Sequence, residues 1–323
     1  MADAAVSSPW HRGELAMQRR AGVAPEHAAR VAPFLRTVLT DQHRAFYPLL
    51  PFIVAGAVDD AGLPWATILE GTPGFLQSPD DTHLRVAATP AADDPARAGF
   101  ASGRAIGLLG IQLETRRRNR VNGRVANAIG AGFDLEVDRA YGNCPRYITT
   151  HELARGTATP APADYADGLD AQARAAIARA DMFFVASYAD EGARGVDVSH
   201  RGGRPGFVDV DGDWLTVPDF DGNGFFNTLG NFLVNPRAGL LFVDFARGDL
   251  LQLTGHVELV FDGPLLARFA GAQRAFRVRV ARLVRRRGAL AWRGQAREAS
   301  PASIPTGSWR EARTRLAADA APR

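Results

Sequence analysis

The chain has 323 residues and a formal net charge of +3, with 46% hydrophobic and 23% charged residues. This globular balance has room for two domains of ~100–200 residues, and no apolar run reaches the ~18 residues of a membrane-spanning helix. All 38 basic residues are arginine, which excludes a Schiff-base or P-loop lysine and leaves any bound anion to guanidinium forks. A GC-rich coding bias is the favoured explanation of that composition as a whole, and the exclusions hold either way. One cysteine, Cys144, excludes an intrachain disulfide and a cysteine-rich metal centre. The carboxylates lack metal-ligand spacing, so no metal is expected. The first twenty residues lack an apolar stretch, so the chain reads as soluble and cytoplasmic.

In chain order, residues 1–45 carry two helical stretches, Gly13–Gly22 and Pro25–Leu39. Phe52–Val58 is a short apolar strand, followed by the turn Asp59-Asp60 and a returning strand Trp65–Leu69. Phe133–Val137 alternates strictly and closes the first β unit. Residues 154–168 are rich in Pro and Ala and read as an exposed linker, with Leu169–Ala180 a helix. Phe183–Tyr188, the turn Asp190-Glu191-Gly192 and Val196–His200 repeat the strand–turn–strand pattern. Asp211-Gly212-Asp213 and Arg247-Gly248-Asp249 signal hairpins, Gly224–Asn235 has helical spacing ended by Pro236, and Phe276–Val280 closes the second unit. Residues 288–323 read as an extended or disordered polar tail.

The two β units repeat each other. At a constant offset of 132, Phe52 matches Phe184, Gly71-x-Pro73-Gly74-Phe75 matches Gly203-x-Pro205-Gly206-Phe207, and Gly107 and Gly123 match Gly239 and Gly255. The register reads as gapless and is far longer than solenoid repeats of ~20–50 residues. It implies two copies packed as a pseudo-dimer, each a small antiparallel barrel of five or six strands with one short helix. The divisions expected are 1–45 helical, 46–153 copy one, 154–180 linker and helix, 181–287 copy two, and 288–323 tail.

Four segments could carry chemistry. Thr115–Arg124 holds five arginines, and strand alternation puts Arg116, Arg118, Arg120 and Asn122 on one face, with Arg117, Asn119 and Val121 on the other. Such a strand is either a charged, solvated edge or the lining of an anion site; Asn119 and Asn122 among the cations favour a phosphate or flavin-edge site. In Asp197–Gly206, Ser199, His200 and Arg201 run into two glycines that admit close backbone approach to a ligand. A lone histidine there is a turn residue; the trio favours ligand contact, and His200 is the one candidate acid or base. In Pro218–Asn231, Asn223, Asn227, Thr228 and Asn231 cluster at the start of a short helix, where backbone N–H groups suit a phosphate; ordinary capping by Asp221 and Asn223 competes with that. In Tyr141–Ile148, Asn143 and Cys144 follow the first closing strand, and a lone turn cysteine is more often packed than reactive.

The blocks SPWHRGELAMQ, LPFIVAGAVDDAGLPWA, LLGIQLETRRRNRVNG, DVSHRGGRPGFVDV and PDFDGNGFFNTLGNFLVNPRAGLLFVDF resemble the pyridoxamine 5′-phosphate oxidase-like, FMN-binding split-barrel proteins, in particular their long bacterial subgroup with two barrel copies. The likeness covers residues of about 8–285 and implies a mainly β fold with short helices: two tandem split β-barrels forming a pseudo-dimer, with FMN in a cleft between them. It implies an FMN-dependent oxidoreductase, with a non-catalytic FMN carrier as one alternative; the residues themselves leave another, an Arg-rich nucleic-acid or anion-binding module built on Arg116–Arg124 and the acid-free stretch Arg274–Arg297. The family's phosphate-binding cluster falls near Ser199–Gly202 and Asn223–Thr228, where this chain has amides in place of lysine. Arg116–Arg120 would then cross the pseudo-dimer interface to supply charge with Arg201. In some relatives a ferredoxin-reductase-like unit follows a junction similar to Ser300–Trp309, which implies a separate reductase or iron–sulfur partner here. The substrate is unspecified, and a homodimer stays open.

Overall fold

The computed structural model describes residues 8–190 and 195–320. The turn expected at Asp190-Glu191-Gly192 therefore lies mostly outside the described residues. Strands β1 (Phe52–Val58), β2 (Pro64–Glu70), β3 (Leu76–Gln77), β4 (His83–Val86), β5 (Ala105–Gln112), β6 (Arg117–Ile129) and β7 (Gly132–Gly142) form the first sheet. After β8 (His151–Arg155) and β9 (Asp164–Ala166) come β10 (Met182–Ala189), β11 (Gly195–Gly202), β12 (Asp209–Asp211), β13 (Trp214–Asp219), β14 (Arg237–Asp244), β15 (Asp249–Val260), β16 (Arg274–Arg286) and finally β17 (Trp292–Ala296). The helices are α1 (Arg12–Arg20), α2 (Pro25–Val31), α3 (Asp41–Phe46), α4 (Ala171–Arg179), α5 (Asn227–Val234), α6 (Pro264–Ala267) and α7 (Trp309–Ala320).

The fold is mainly β and antiparallel. The first sheet runs β2-β1-β5-β6-β7-β4-β3 and the second β11-β10-β14-β15-β16-β13-β12, the same order strand for strand, with β9 added on β16. Each half thus has seven strands where five or six were expected. β1 and β10 are buried along their whole length because alternate residues serve two cores. Ile53, Ala55 and Ala57 join the first sheet's own core, Phe183 and Val185 join the second's, and Phe52, Val54, Phe184 and Ala186 pack between the sheets.

The contacts between halves are reciprocal. A Cβ on Gly107 would meet the Val196 carbonyl at 2.5 Å, and one on Gly239 would meet the Pro64 carbonyl at 2.4 Å; each pair maps onto the other at the offset of 132. Such exchange of contacts is what an approximate two-fold axis produces. One part of the repeat's register is corrected. β5 and β14 correspond at 132, yet Val54 pairs with Leu109 and Phe184 with Leu241. The partner of Phe184 is therefore Val54, not Phe52, and the second β-hairpin carries two extra residues.

Three further expectations change. The helix expected over Pro25–Leu39 ends as α2 at Val31, giving way to a 3₁₀ turn at Ala32–Phe34 that contains Pro33. The linker is not wholly irregular, since β9 pairs with β16. Residues 288–320 are ordered rather than a loose tail: β17 pairs with β8, and α7 buries Trp309, whose indole N–H donates to the Phe207 carbonyl at 2.8 Å. Among the described residues no helix is long and apolar enough to cross a membrane.

The N-terminal helix α1 crosses α5 at a glycine pair. A Cβ on Gly230 would lie 2.7 Å from the backbone of Glu14, and backbone cannot yield as a flexible side chain can. Gly230→Ala is expected to lower stability by about 1–3 kcal/mol, read as a shifted denaturant midpoint at unchanged slope; an unmoved midpoint would contradict this packing.

Candidate functional site

One cavity of about 400 Å³ lies between the halves, within the usual size for a small-molecule site. The first half contributes Leu109, Arg118 and Arg120 from β5 and β6, and Asn143, Cys144, Arg146 and Tyr147 from the loop after β7. The second half contributes Ser199, His200 and Arg201 from β11, the loop Phe220–Gly224, and Asn227, Thr228 and Leu229 from α5. Ala21, Val23, Ala24 and His27, between and within α1 and α2, lie at its edge.

Strand alternation places Arg118 and Arg120 on the face of β6 that looks across to β11, whereas Val121 points into the first core and Arg117 lies over the Phe46 ring. Arg120 is buried and crosses to the second half, donating to Asp197 at 2.8 Å, to the Tyr141 hydroxyl at 2.9 Å and to Ser199. Burial pushes the Asp197 carboxyl up, but the Arg120 guanidinium and the amides of Asn231 and Asn122 bring it net below its usual range. Thr228 donates to Ser199 at 3.0 Å. Behind this group Tyr141 donates to Asn227 at 3.0 Å, and Asn227 donates to Glu14 on α1. Glu14 is 1% exposed, and its carboxyl is raised, mainly by burial.

Arg118 is differently placed. The one hydrogen bond of its side chain among the described residues runs from Nε to the Cys144 carbonyl, 2.6 Å away. Burial first, opposed by Cys144 and aided by Arg120 and Arg201, lowers its guanidinium to about 9, so it still carries its charge at neutral pH. Arg201 lies 3.7 Å from Asp219, whose other oxygen takes Arg274 at 2.8 Å. Buried Nε2 of His200, Nε of Arg201 and Oδ1 of Asn143 have no hydrogen-bond partner among the described residues. Burial first, then Arg118 and Arg201, hold His200 well below its usual range. It is therefore a neutral ring able to donate or accept one hydrogen bond at that atom.

The outer wall is strained. Tyr147 and Phe226 hold φ of 65° and 59°, unusual for residues with a Cβ. The Tyr147 ring packs on Phe220 at 5.1 Å between centroids, its hydroxyl donates to the Asp221 carbonyl at 3.0 Å, and Arg146 pairs with Asp221. Gly202 is required beside this loop, because a Cβ there would strike the Tyr147 carbonyl at 2.0 Å. Residues of the expected tail hold the loop from behind: Ser300 accepts from the Tyr147 N–H at 3.0 Å.

Of the residues singled out in sequence, Arg118, Arg120, Asn143, Cys144, Ser199, His200, Arg201, Asn223, Asn227 and Thr228 meet at this cavity. Four do not line it. Arg116 precedes β6 with φ of 60° and turns away to the Ile148 carbonyl and Glu298. Asn119 is buried on the opposite face of β6 from Arg118. Asn122 and Asn231 both donate to Asp197, at 2.7 and 2.9 Å, and belong to the interface network. Asp221 and Asn223 do not cap α5, whose N-cap is Phe226 without a side-chain bond. Asp197 and Tyr141 fell within segments already singled out but were passed over; a carboxylate inside an otherwise apolar strand was the available signal. Glu14, His27 and Arg274 gave no local signal, since only tertiary packing brings them here.

Residues 169–299 match the family model described as pyridoxamine 5′-phosphate oxidase. The match spans α4 to β17, less than half of the chain, and supports a likeness of this second half to the pyridoxamine 5′-phosphate oxidase-like split-barrel family. No curated protein matches the chain. Among solved structures, HupZ of Group A Streptococcus is similar at 14% identity over 32% of this chain and 93% of its own, with a TM-score of 0.26. A FAD-binding protein from Mesorhizobium loti is similar at 15% identity over 38% of this chain and 97% of its own, with a TM-score of 0.27. Scores this low carry no argument about function.

Proposed function

We propose that the chain is an FMN-binding flavoprotein and an oxidoreductase, holding its cofactor in the cavity between the two halves. The observation that carries this is Arg118, a charged guanidinium with no carboxylate partner among the described residues, set beside unsatisfied atoms of His200, Arg201 and Asn143. A buried cation without an anion is costly, and a phosphate supplies the missing charge with bidentate geometry. Around the cavity Arg118, Arg120, Arg146, Arg201 and Arg274 face Asp197, Asp219 and Asp221, an excess of two positive charges that a phosphate dianion would balance.

The donor set fits FMN. Arg118, Arg201, Ser199 and Thr228 would hold the phosphate, while Leu109, Phe226, Leu229 and the Tyr147–Phe220 pair offer apolar surface for a ring. A bound flavin supplies hydride or single-electron transfer. The protein's part is to fix its position, to exclude water under the segment Ala21–His27, and to present cationic groups that favour added negative charge. The family-model match over residues 169–299 supports a flavin in particular, and the matching strand orders support descent of the two halves from one duplicated unit.

Steady-state assays with NADH or NADPH and a panel of quinone and nitro acceptors test the enzymatic part: turnover that requires FMN is expected, and tight FMN binding without turnover would leave a carrier. The nucleic-acid alternative loses its main support, because arginines of the stretch 274–297 are largely answered by carboxylates, Arg285 by Asp170, Arg286 by Asp93 and Asp94, and Arg287 by Asp164.

A further inference from the structure

A pseudo-two-fold arrangement makes two crevices between the halves, and only one is the cavity described. Strand registers locate the other. Arg120 opposite Leu109 corresponds to Gln252 opposite Leu241; Ser199, His200 and Arg201 correspond to Thr67, Ile68 and Leu69; Arg118 corresponds to Leu250, and Asn143 to Arg286. Three groups that face the open cavity thus become Ile68, Leu69 and Leu250, all buried and apolar.

The polar remainder is occupied from within. Asp94 lies just ahead of the short helix Arg97–Phe100, in the segment that answers to the loop before α5. Its carboxylate is buried, with one oxygen accepting from Arg286 at 2.8 Å and from Thr67. The other accepts from Gln252 at 3.0 Å and from the Ala96 N–H at 2.9 Å. Four donors from both halves therefore converge on one carboxylate, whereas Arg118 in the open cavity has a single carbonyl.

We propose that the second crevice is an anion site closed by the protein itself, the Asp94 carboxylate standing between Arg286, Thr67 and Gln252 where a ligand's oxyanion would stand, so that each chain takes up one anionic cofactor and not two. The closure rests on side chains present in the chain and does not depend on flavin as the ligand; the stoichiometry rests on the flavin reading.

Two measurements test it. FMN titrated into the flavin-free full-length chain is expected to saturate at one equivalent, and two equivalents would overturn the closure. A chain that binds no FMN would end the flavin reading and leave the second measurement to decide this one. Asp94→Ala leaves Arg286 with only the half-exposed Asp93 and is expected to melt roughly 5–10 °C lower. Sodium formate, compared with sodium chloride at equal ionic strength, should then raise the variant's melting temperature by several degrees more than the parent's. If Asp94→Ala does not fold alone, its refolding in sodium formate against sodium chloride at equal ionic strength gives the same comparison. Equal responses of variant and parent to formate would overturn the proposal.

Discussion

Arg118→Ala is expected to weaken FMN binding by about 10- to 100-fold, the loss of one charge-assisted contact of about 1.5–3 kcal/mol. Riboflavin, which has the ring and lacks the phosphate, should bind parent and variant almost equally. Fluorescence-quenching titrations of both ligands make the comparison, and the variant's melting curve should match or exceed the parent's, because the side chain removed is a buried cation held by one carbonyl. A loss equal for FMN and riboflavin would place Arg118 away from the phosphate.

Arg120→Ala should act on the fold instead. Arg120 joins β6 of one half to Asp197 on β11 of the other and is itself buried, so its removal leaves a buried carboxylate without its cation. Breaking such a pair costs about 3–5 kcal/mol, a large share of the ~5–15 kcal/mol that holds a domain together. Adding Asp197→Asn should recover part of the loss, since an amide needs no counter-charge. Denaturant melts of the single and double variants decide it; an Arg120→Ala chain as stable as the parent would contradict the network. From sequence, Arg118 and Arg120 read as one cationic lining. The structure divides them, because one faces an open cavity and the other is already partnered.

Periodicity and turn chemistry carried the strands well. β10 stands within a few residues of where Phe183–Tyr188 put it, and β14 and β15 meet at the hairpin that Arg247-Gly248-Asp249 signalled, because a strand serving two apolar cores leaves a dense hydrophobic run. The repeat exposed the pseudo-symmetry, but the two-residue shift of β10 was hidden. A shift by two keeps every side chain on its own face, and the matching Phe52 and Phe184 misled. Alternation placed Arg118 and Arg120 correctly and failed at Arg116, where a left-handed residue breaks the period. Residues 288–320 were misjudged because β17 and α7 gain order from partners far off in sequence, β8 and Phe207. The part of the site built by Glu14 and His27 was illegible for the same reason: helix α1 announces its own caps but not the surface it covers.

The central claim is that the cavity around Arg118 holds a flavin. The absorption spectrum of the purified chain, with mass analysis of any chromophore released on denaturation, tests it most directly. The account predicts flavin bands, or their appearance on adding FMN, and a released species of the mass of FMN. A colourless protein that takes up no FMN would contradict it.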